Sequence, residues 1–212
     1  MKKWMALLLC CLLCLFVAGA MAEEPVTLSL NRGNQINIYP DGYQEKNKKF
    51  VSYKGPYIIT GTSTRWDTCL DFYSIPHNAS QDTEPVTYTV TFKDVNIIAQ
   101  VWCTAIRFGE SEGAGAKDIT LNLINIGNSR VEPYDNNAVF SNQFSNQDRE
   151  VTVYIHNTLD SSLQLVGGKE GKYSEQPEWG VAGKNVTVHI GTQTIDKSNN
   201  VDILDCDYDN EN

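Results

Sequence analysis

Short segments in which apolar and polar residues alternate recur along the chain. The phrase apolar, Thr, apolar, any residue, apolar begins at residues 26, 88, 119, 151 and 186, and a weaker copy begins at 57. Successive copies therefore start 31, 31, 31, 32 and 35 residues apart. A nearly fixed period of this length indicates a repeat architecture.

The alternation has a period of two, which predicts half-buried β-strands whose first, third and fifth residues point inward. Each period contains further short apolar runs separated by Gly, Asn, Asp and Pro, the residues of turns. Two or three such strands cannot bury their apolar faces alone, so we expect coils stacked about 4.8 Å apart. The sequence predicts an all-β fold, a parallel β-helix (β-solenoid) of about six coils. A β-sandwich is the alternative, but it does not require a constant spacing.

The N-terminus has the pattern of a secretory signal peptide. Lys2 and Lys3 precede an apolar run over residues 5–17, and small residues lead to Ala22. We therefore predict a signal peptide at 1–22 and a single solenoid domain at 23–212. The expected product is secreted and extracellular, with no membrane segment after cleavage.

The charge of the chain is acidic. It has 17 basic and 26 acidic residues, and the predicted signal peptide contains two of the basic ones, so the mature charge is 15 − 26 = −11. This balance argues against binding nucleic acid and favours a soluble protein, which we expect to be a monomer.

Several segments resemble a known family: "YIITGT", "YTVTFKDVNI", "DITLNLINIGNSRVE", "NNAVFSN" and "SLQLVGG". They are similar to segments of the secreted bacterial carbohydrate-binding domain-containing proteins, over roughly residues 55 to 192. The resemblance implies a right-handed parallel β-helix that looks like pectate lyase without its activity. It also implies acidic plant polysaccharide as a partner and calcium as a candidate cofactor.

Stacked coils turn each outward position into a column. The predicted columns of the first wall are rich in hydroxyl groups: Thr27, Ile58, Thr89, Thr120, Thr152, Thr187, and Ser29, Thr60, Thr91, Asn122, Tyr154, His189. A neutral hydroxyl surface is suited to hydrogen-bonding a sugar chain. Thr is also a favourable strand residue whose ladders stabilise a sheet, so both interpretations stay open.

A second predicted column places Asp71, Arg107, Phe140 and Ala182 on one outer face. Asp71 and Arg107 would form an ion pair between coils that fixes their register. Alternatively, Arg107 beside Phe140 would offer a cation and an apolar platform to a uronic acid.

Trp66, Trp102 and Trp179 lie next to these columns, where they would either stack on sugar rings or cover corners of the solenoid. For calcium, the candidate ligands are carboxylates in three loops that lack the spacing of an EF-hand: Glu110, Glu112, Asp118, Glu132, Asp135, Asp148 and Glu150. Cys69, Cys103 and Cys206 follow the signal peptide, and the predicted register places Cys69 and Cys103 out of step, so we expect free thiols.

The sequence thus predicts a secreted, non-catalytic module that binds polysaccharide. Its candidate ligand-binding residues are Asp71, Trp102, Arg107, Phe140 and Trp179, and no residue is assigned a catalytic role. The alternatives are a structural or adhesive extracellular protein and a calcium-dependent polysaccharide lyase, which would need a base such as Arg beside the metal.

Overall fold

The computed structural model describes residues 23–31, 34–63, 70–77, 84–98, 105–109, 117–133, 139–142, 149–167, 181–182, 185–196 and 203–206. These residues form strands and turns, and no helix that could cross a membrane occurs among them. The predicted signal peptide, Cys69 and Cys103 lie outside the described residues.

Seventeen strands follow one another in the described ranges. They are β1 (Val26–Ser29), β2 (Ile36–Tyr39), β3 (Gly42–Glu45), β4 (Val51–Ser52), β5 (Tyr57–Ser63), β6 (Leu70–Phe72), β7 (Val86–Ile98), β8 (Ile106–Phe108), β9 (Ile119–Ile126), β10 (Asn128–Glu132), β11 (Phe140–Asn142), β12 (Val151–Asn157), β13 (Ser162–Val166), β14 (Val181–Ala182), β15 (Val186–Ile190), β16 (Gln193–Ile195) and β17 (Ile203–Cys206).

The strands stack in three layers. In the first layer β1, β5, β7, β9, β12 and β15 pair in parallel, and β16 adds an antiparallel strand at the end. In the second, the last parts of β5 and β7 are followed by β10 and β13, with β17 antiparallel at the end. In the third, β2, β6, β8, β11 and β14 are parallel, and β3 and β4 extend the β2 end in antiparallel fashion.

This arrangement is a β-solenoid of about 3 turns. It confirms the all-β class and the repeat, because the phrases found in the sequence form the first layer. The stack does not establish the predicted six coils. At the ends of the stack, β15 of the first layer and β2 of the third layer continue into antiparallel hairpins and not into further parallel coils.

Left-handed backbone conformations turn the chain from the first layer into the second. Gly61 (φ 98°), Asp94 (φ 51°) and Gly127 (φ 80°) occupy this corner in successive coils. The Oδ1 atom of Asp94 accepts a hydrogen bond from the backbone N–H of Asn128 at 3.0 Å. A Cβ atom on Gly127 would lie 2.1 Å from that Oδ1, so this position requires glycine both for its φ and for the close approach.

Apolar side chains fill the interior in columns that run from coil to coil. Four such columns carry the core: Val86, Ile119, Val151, Val186; Tyr88, Leu121, Val153, Val188; Val90, Leu123, Ile155, Ile190; and Ile36, Leu70, Ile106, Phe140. Nearly all of these residues are buried, which confirms the predicted inward and outward alternation.

The register of two coils differs from the predicted one. Tyr57 pairs with Val90 instead of Tyr88, and Ile119 pairs with Val86. β7 is 13 residues long, so it can pair with its two neighbours at different offsets. A shift of two residues keeps every side chain on its own face, so the alternation in the sequence could not reveal it.

Arg149, just before β12, is a charged residue inside the solenoid with 2% exposure. Its Nη2 atom donates to the carbonyl oxygen of Phe108 at 2.6 Å and to Oδ1 of Asn142 at 2.8 Å. Its Nε atom also donates to Oδ1 of Asn142, at 3.2 Å. Arg149 therefore ties β12 to β8 and β11 from the inside.

Replacing Arg149 by Met should lower the free energy of unfolding by about 2–4 kcal/mol. The change leaves the Phe108 carbonyl and the Asn142 amide oxygen buried without this donor, and each such loss costs about 1–3 kcal/mol. Urea unfolding would measure it as a lower midpoint at an unchanged slope. Lys54→Met, at an exposed position, is the control and should stay within about 0.5 kcal/mol. Equal stabilities of the two variants would contradict the assigned role.

Candidate functional site

The predicted pair of Asp71 and Arg107 is present in the third layer. β6 and β8 place the two residues directly opposite each other. The guanidinium group engages both carboxylate oxygens, with Nε on Oδ1 and Nη2 on Oδ2. The side chain of Asp71 is only 2% exposed and that of Arg107 is 23% exposed. This two-pronged geometry fixes the orientation of the arginine as well as the register of the coils.

Neighbouring polar groups extend this pair toward β2. Gln35 Nε2 donates to Oδ2 of Asp71 at 2.7 Å and to Oδ1 of Asn37 at 3.3 Å. Burial raises the pKa of Tyr39, and the negative charges of Asp71 and Asp41 act in the same direction, while a hydrogen bond with Asn37 opposes them. Gln35 and Arg107 therefore occupy the carboxylate of Asp71, which indicates that this residue has a structural role as a joint between coils.

The placement of Phe140 on this outer face was wrong. In the structure Ser141, not Phe140, lies opposite Arg107, and Phe140 pairs with Ile106. Phe140 is 1% exposed and belongs to the core. A one-residue error of register moves a side chain to the other face of a sheet, so the expected apolar platform beside Arg107 does not exist. The backbone register places Ala182 in the column of Arg107, opposite Ser141.

Trp66, Trp102 and Trp179 lie outside the described residues, as do Glu110, Glu112, Asp135 and Asp148. Of the other proposed calcium ligands, Asp118 accepts a hydrogen bond from the backbone N–H of Glu150 at 2.8 Å, and Glu132 pairs with Arg130. In the part of the chain that the structure describes, no group of three or more His, Cys, Asp or Glu residues could hold a metal ion.

The outward side of the first layer is formed by six parallel strands paired in register. We call it the hydroxyl face. Its members form four columns in register: Thr87, Thr120, Thr152, Thr187; Thr89, Asn122, Tyr154, His189; Thr27, Ile58, Thr91, Ile124, His156; and Ser29, Thr60, Lys93, Ile126.

Tyr154 is the aromatic centre of the hydroxyl face. It is 40% exposed, and its ring stacks on that of His189 with centroids 4.9 Å apart and planes at 18°. His189 in turn shares a 3.1 Å hydrogen bond, through Nδ1, with the hydroxyl group of Thr194. Tyr154 is thus linked through His189 to the neighbouring strand β16.

The charge of the hydroxyl face differs from that of the whole protein. The four columns of the hydroxyl face contain no Asp or Glu, and Lys93 is their one Lys or Arg residue. The chain as a whole carries a net charge of −9. The acidic residues are therefore placed elsewhere, which leaves this face able to approach neutral and anionic molecules.

Sequence reasoning found the outward residues of this face, but its register was correct only between β1 and β5 and from β9 to β15. The columns that pass through β7 were wrong by two residues. Tyr154 was not selected as a site residue. The signal was present, because an aromatic residue at an outward position of a strand lacks a core to pack against. It was missed because the Trp residues and the Asp71–Arg107 column offered stronger chemistry. In the structure, Asp71 is buried and bound by protein donors, whereas Tyr154 of the first layer is exposed.

Replacing Asp71 by Asn should lower the free energy of unfolding by about 2–4 kcal/mol, somewhat less than for a fully buried pair, because Arg107 retains contact with solvent. Thermal and urea unfolding would measure the loss. Lys48→Gln breaks an exposed pair with Glu45 and should cost less than about 1 kcal/mol. If Asp71→Asn were as mild as the Lys48 variant, the pair would not be a structural joint.

Comparison with known proteins does not identify a family for this chain. No protein-family model matches the sequence, and neither the curated proteins nor the solved structures include a match. The resemblance to carbohydrate-binding domain-containing proteins therefore stays a prediction.

Proposed function

We propose that the protein is a non-catalytic module that binds an extended polysaccharide on the hydroxyl face. The observation that carries the proposal is Tyr154, an exposed aromatic ring fixed by His189 among columns of Thr and Asn side chains. A sugar ring has an apolar C–H surface and a polar rim. An aromatic ring suits the first, and hydroxyl and amide groups suit the second.

The spacing of the columns supports a chain-like ligand. Side chains in one column repeat at the strand spacing, about 4.8 Å, along the axis of the solenoid. Thr152 and Thr187 lie directly opposite each other, as do Thr120 and Thr152. An extended polymer lying along the axis would meet similar groups at each coil, which suits a repeating ligand better than a small compact one.

The ion pair of Arg107 with Asp71 supports a binding module over a lyase. A catalytic arginine must reach the substrate, whereas Arg107 is held on both oxygens of a buried carboxylate. Asp71 and Arg107 therefore serve the scaffold in this proposal. Trp102 and Trp179 remain candidate contacts at the edges of the coils.

The proposal also includes the handedness, the number of coils, the secretion and the ligand class that the sequence predicts. We infer that the solenoid is right-handed, since crossover connections between parallel strands are almost always right-handed. We infer about six coils only from the six copies of the sequence phrase, if incomplete coils at the ends are counted with the complete turns. We also infer secretion of residues 23–212 as a monomer. Acidic plant polysaccharide is the ligand class to be tested first, because the columns of the hydroxyl face contain no carboxylate that would repel a uronate. Calcium is the ion to be tested as a bridge between the protein and that ligand.

Tyr154→Ala should weaken binding of the mature protein to its polysaccharide about tenfold or more, which corresponds to about 1.4 kcal/mol. The measurement is affinity electrophoresis and titration calorimetry on pectins, celluloses and xylans, with calcium and again with chelator. Leu159→Ala is the matched control, since it removes a more exposed apolar side chain (68%) from the turn after β12. Its affinity should equal that of the wild type.

Equal losses for the two variants would point to unspecific apolar adhesion instead of a site at Tyr154. Loss of binding with chelator would assign calcium a bridging or structural role. An absence of binding to every glycan would overturn the proposal and favour the structural or adhesive alternative.

A further inference from the structure

One end of the third layer carries a cluster of basic side chains. Four exposed lysines lie around the turn from β3 to the edge strand β4 and just after that strand: Lys46, Lys48, Lys49 and Lys54. The segment 45–54 contains four Lys and one Glu, so its net charge is +3, whereas the whole chain has a net charge of −9. A positive patch on an acidic protein indicates attraction to an anionic partner.

The neighbouring carboxylate of Glu45 neutralises only part of this charge. It forms an ion pair with Lys48 at 2.8 Å and also accepts a hydrogen bond from Asn34. The side chain of Lys48 stays 63% exposed in this pair. Among the described residues, neither Lys49 nor Lys54 forms an ion pair. The charges of these two lysines are therefore available to a ligand.

Phe50 joins the cluster to the body of the solenoid. Its ring stacks on that of His77, with centroids 4.4 Å apart, and meets the ring of Tyr39 edge-on at 6.0 Å. Lys49 and Val51 therefore flank an aromatic residue that packs against the third layer.

Val51 places an apolar side chain among the lysines. It is 41% exposed and lies on β4, the last strand at this end of the third layer. A soluble polyanion offers nothing that would bury this side chain. The interface of a lipid bilayer, in contrast, takes up apolar side chains that lie next to cationic ones.

The small size of the cluster also favours a lipid surface over a protein partner. A stable protein interface takes about 20–30 residues from each side. The cluster consists of five exposed residues, which we call the basic tip: Lys46, Lys48, Lys49, Val51 and Lys54. Lysine side chains are flexible point charges, so they suit a fluid surface with many phosphate groups.

We propose that the basic tip binds the phosphate groups of an anionic phospholipid surface. Each lysine close to such a surface strengthens binding about fivefold. Salt screens this attraction, because the Debye length is only about 10 Å at 0.1 M ionic strength. The protein adsorbs at the membrane surface in this proposal, and no membrane-spanning segment is required.

The basic tip stands apart from the hydroxyl face, because it lies on the third layer and shares no residue with that face. A failure of the polysaccharide proposal at Tyr154 therefore leaves the basic tip testable, and the reverse also holds.

The test is sedimentation of the mature protein with two kinds of vesicle. One contains equal amounts of phosphatidylglycerol and phosphatidylcholine, and the other contains phosphatidylcholine alone. Only the anionic vesicles should bind the protein, and added NaCl should release it. Lys49→Gln should weaken this binding about fivefold, and Lys49→Gln combined with Lys54→Gln about 10- to 30-fold.

Lys93→Gln is the matched control, since it removes the same charge from an exposed position on the first layer, and it should bind the vesicles as the wild type does. Circular dichroism and thermal melting would establish that each variant is folded. The proposal is overturned if the neutral vesicles bind equally well, or if Lys93→Gln loses as much affinity as Lys49→Gln. Full binding by the double variant would also overturn it, and the lysines would then only protect the edge strand β4 from pairing with other chains.

Val51→Ser distinguishes a lipid surface from free phosphate. It should weaken vesicle binding about two- to fivefold, because less apolar surface enters the interface, and it should leave the affinity for soluble polyphosphate unchanged. If Val51→Ser bound the vesicles as the wild type does, the assignment to a lipid surface would be wrong and the basic tip would be a site for phosphate in solution.

Discussion

The in-register pairing of parallel strands from one coil to the next is the interaction on which the rest of the structure depends. A strand of four to seven residues cannot satisfy its own backbone groups, so each coil completes the hydrogen bonds of its neighbours. The pairing of β9, β12 and β15 stacks like residues over one another, such as Thr120, Thr152 and Thr187. The aliphatic core columns and the outward hydroxyl columns are two consequences of this one constraint.

Polar and charged residues link neighbouring strands and coils of the solenoid. Asp94 caps the corner opposite Gly127, Arg149 joins three strands from inside, and Asp71 with Arg107 locks neighbouring coils of the third layer. Burying such groups is favourable only when their hydrogen bonds are met, which is why each is surrounded by protein partners. The residues with the strongest chemistry in the sequence therefore serve mainly as joints of the solenoid.

The hydroxyl face is a consequence of the same stacking. Its four columns carry mostly Thr, Ser and other polar side chains, and Lys93 is their one Lys or Arg residue. Tyr154 adds an exposed aromatic ring to them. Because the columns repeat at the strand spacing, outward residues can vary from coil to coil without disturbing the core.

The sequence by itself determined the period, the strand class and the side of the sheet on which most side chains lie. An apolar and polar alternation of period two encodes these features locally, and the recurrence of Val, Ile, Thr and Tyr at a spacing of about 31 to 35 residues indicates stacked coils. The ion pair between Asp71 and Arg107 was also within reach of the sequence, because both residues follow the first apolar position of similar short strands.

Only the tertiary structure decided the register. The pairing of Tyr57 with Val90 differs from the predicted one by two residues, and alternation is blind to such a shift. The error at Phe140 was one residue, because two adjacent buried residues, Val139 and Phe140, each fitted the apolar position of the pattern. The sequence determined which residues face outward in each strand, whereas which of them become neighbours depends on contacts between coils far apart in the chain.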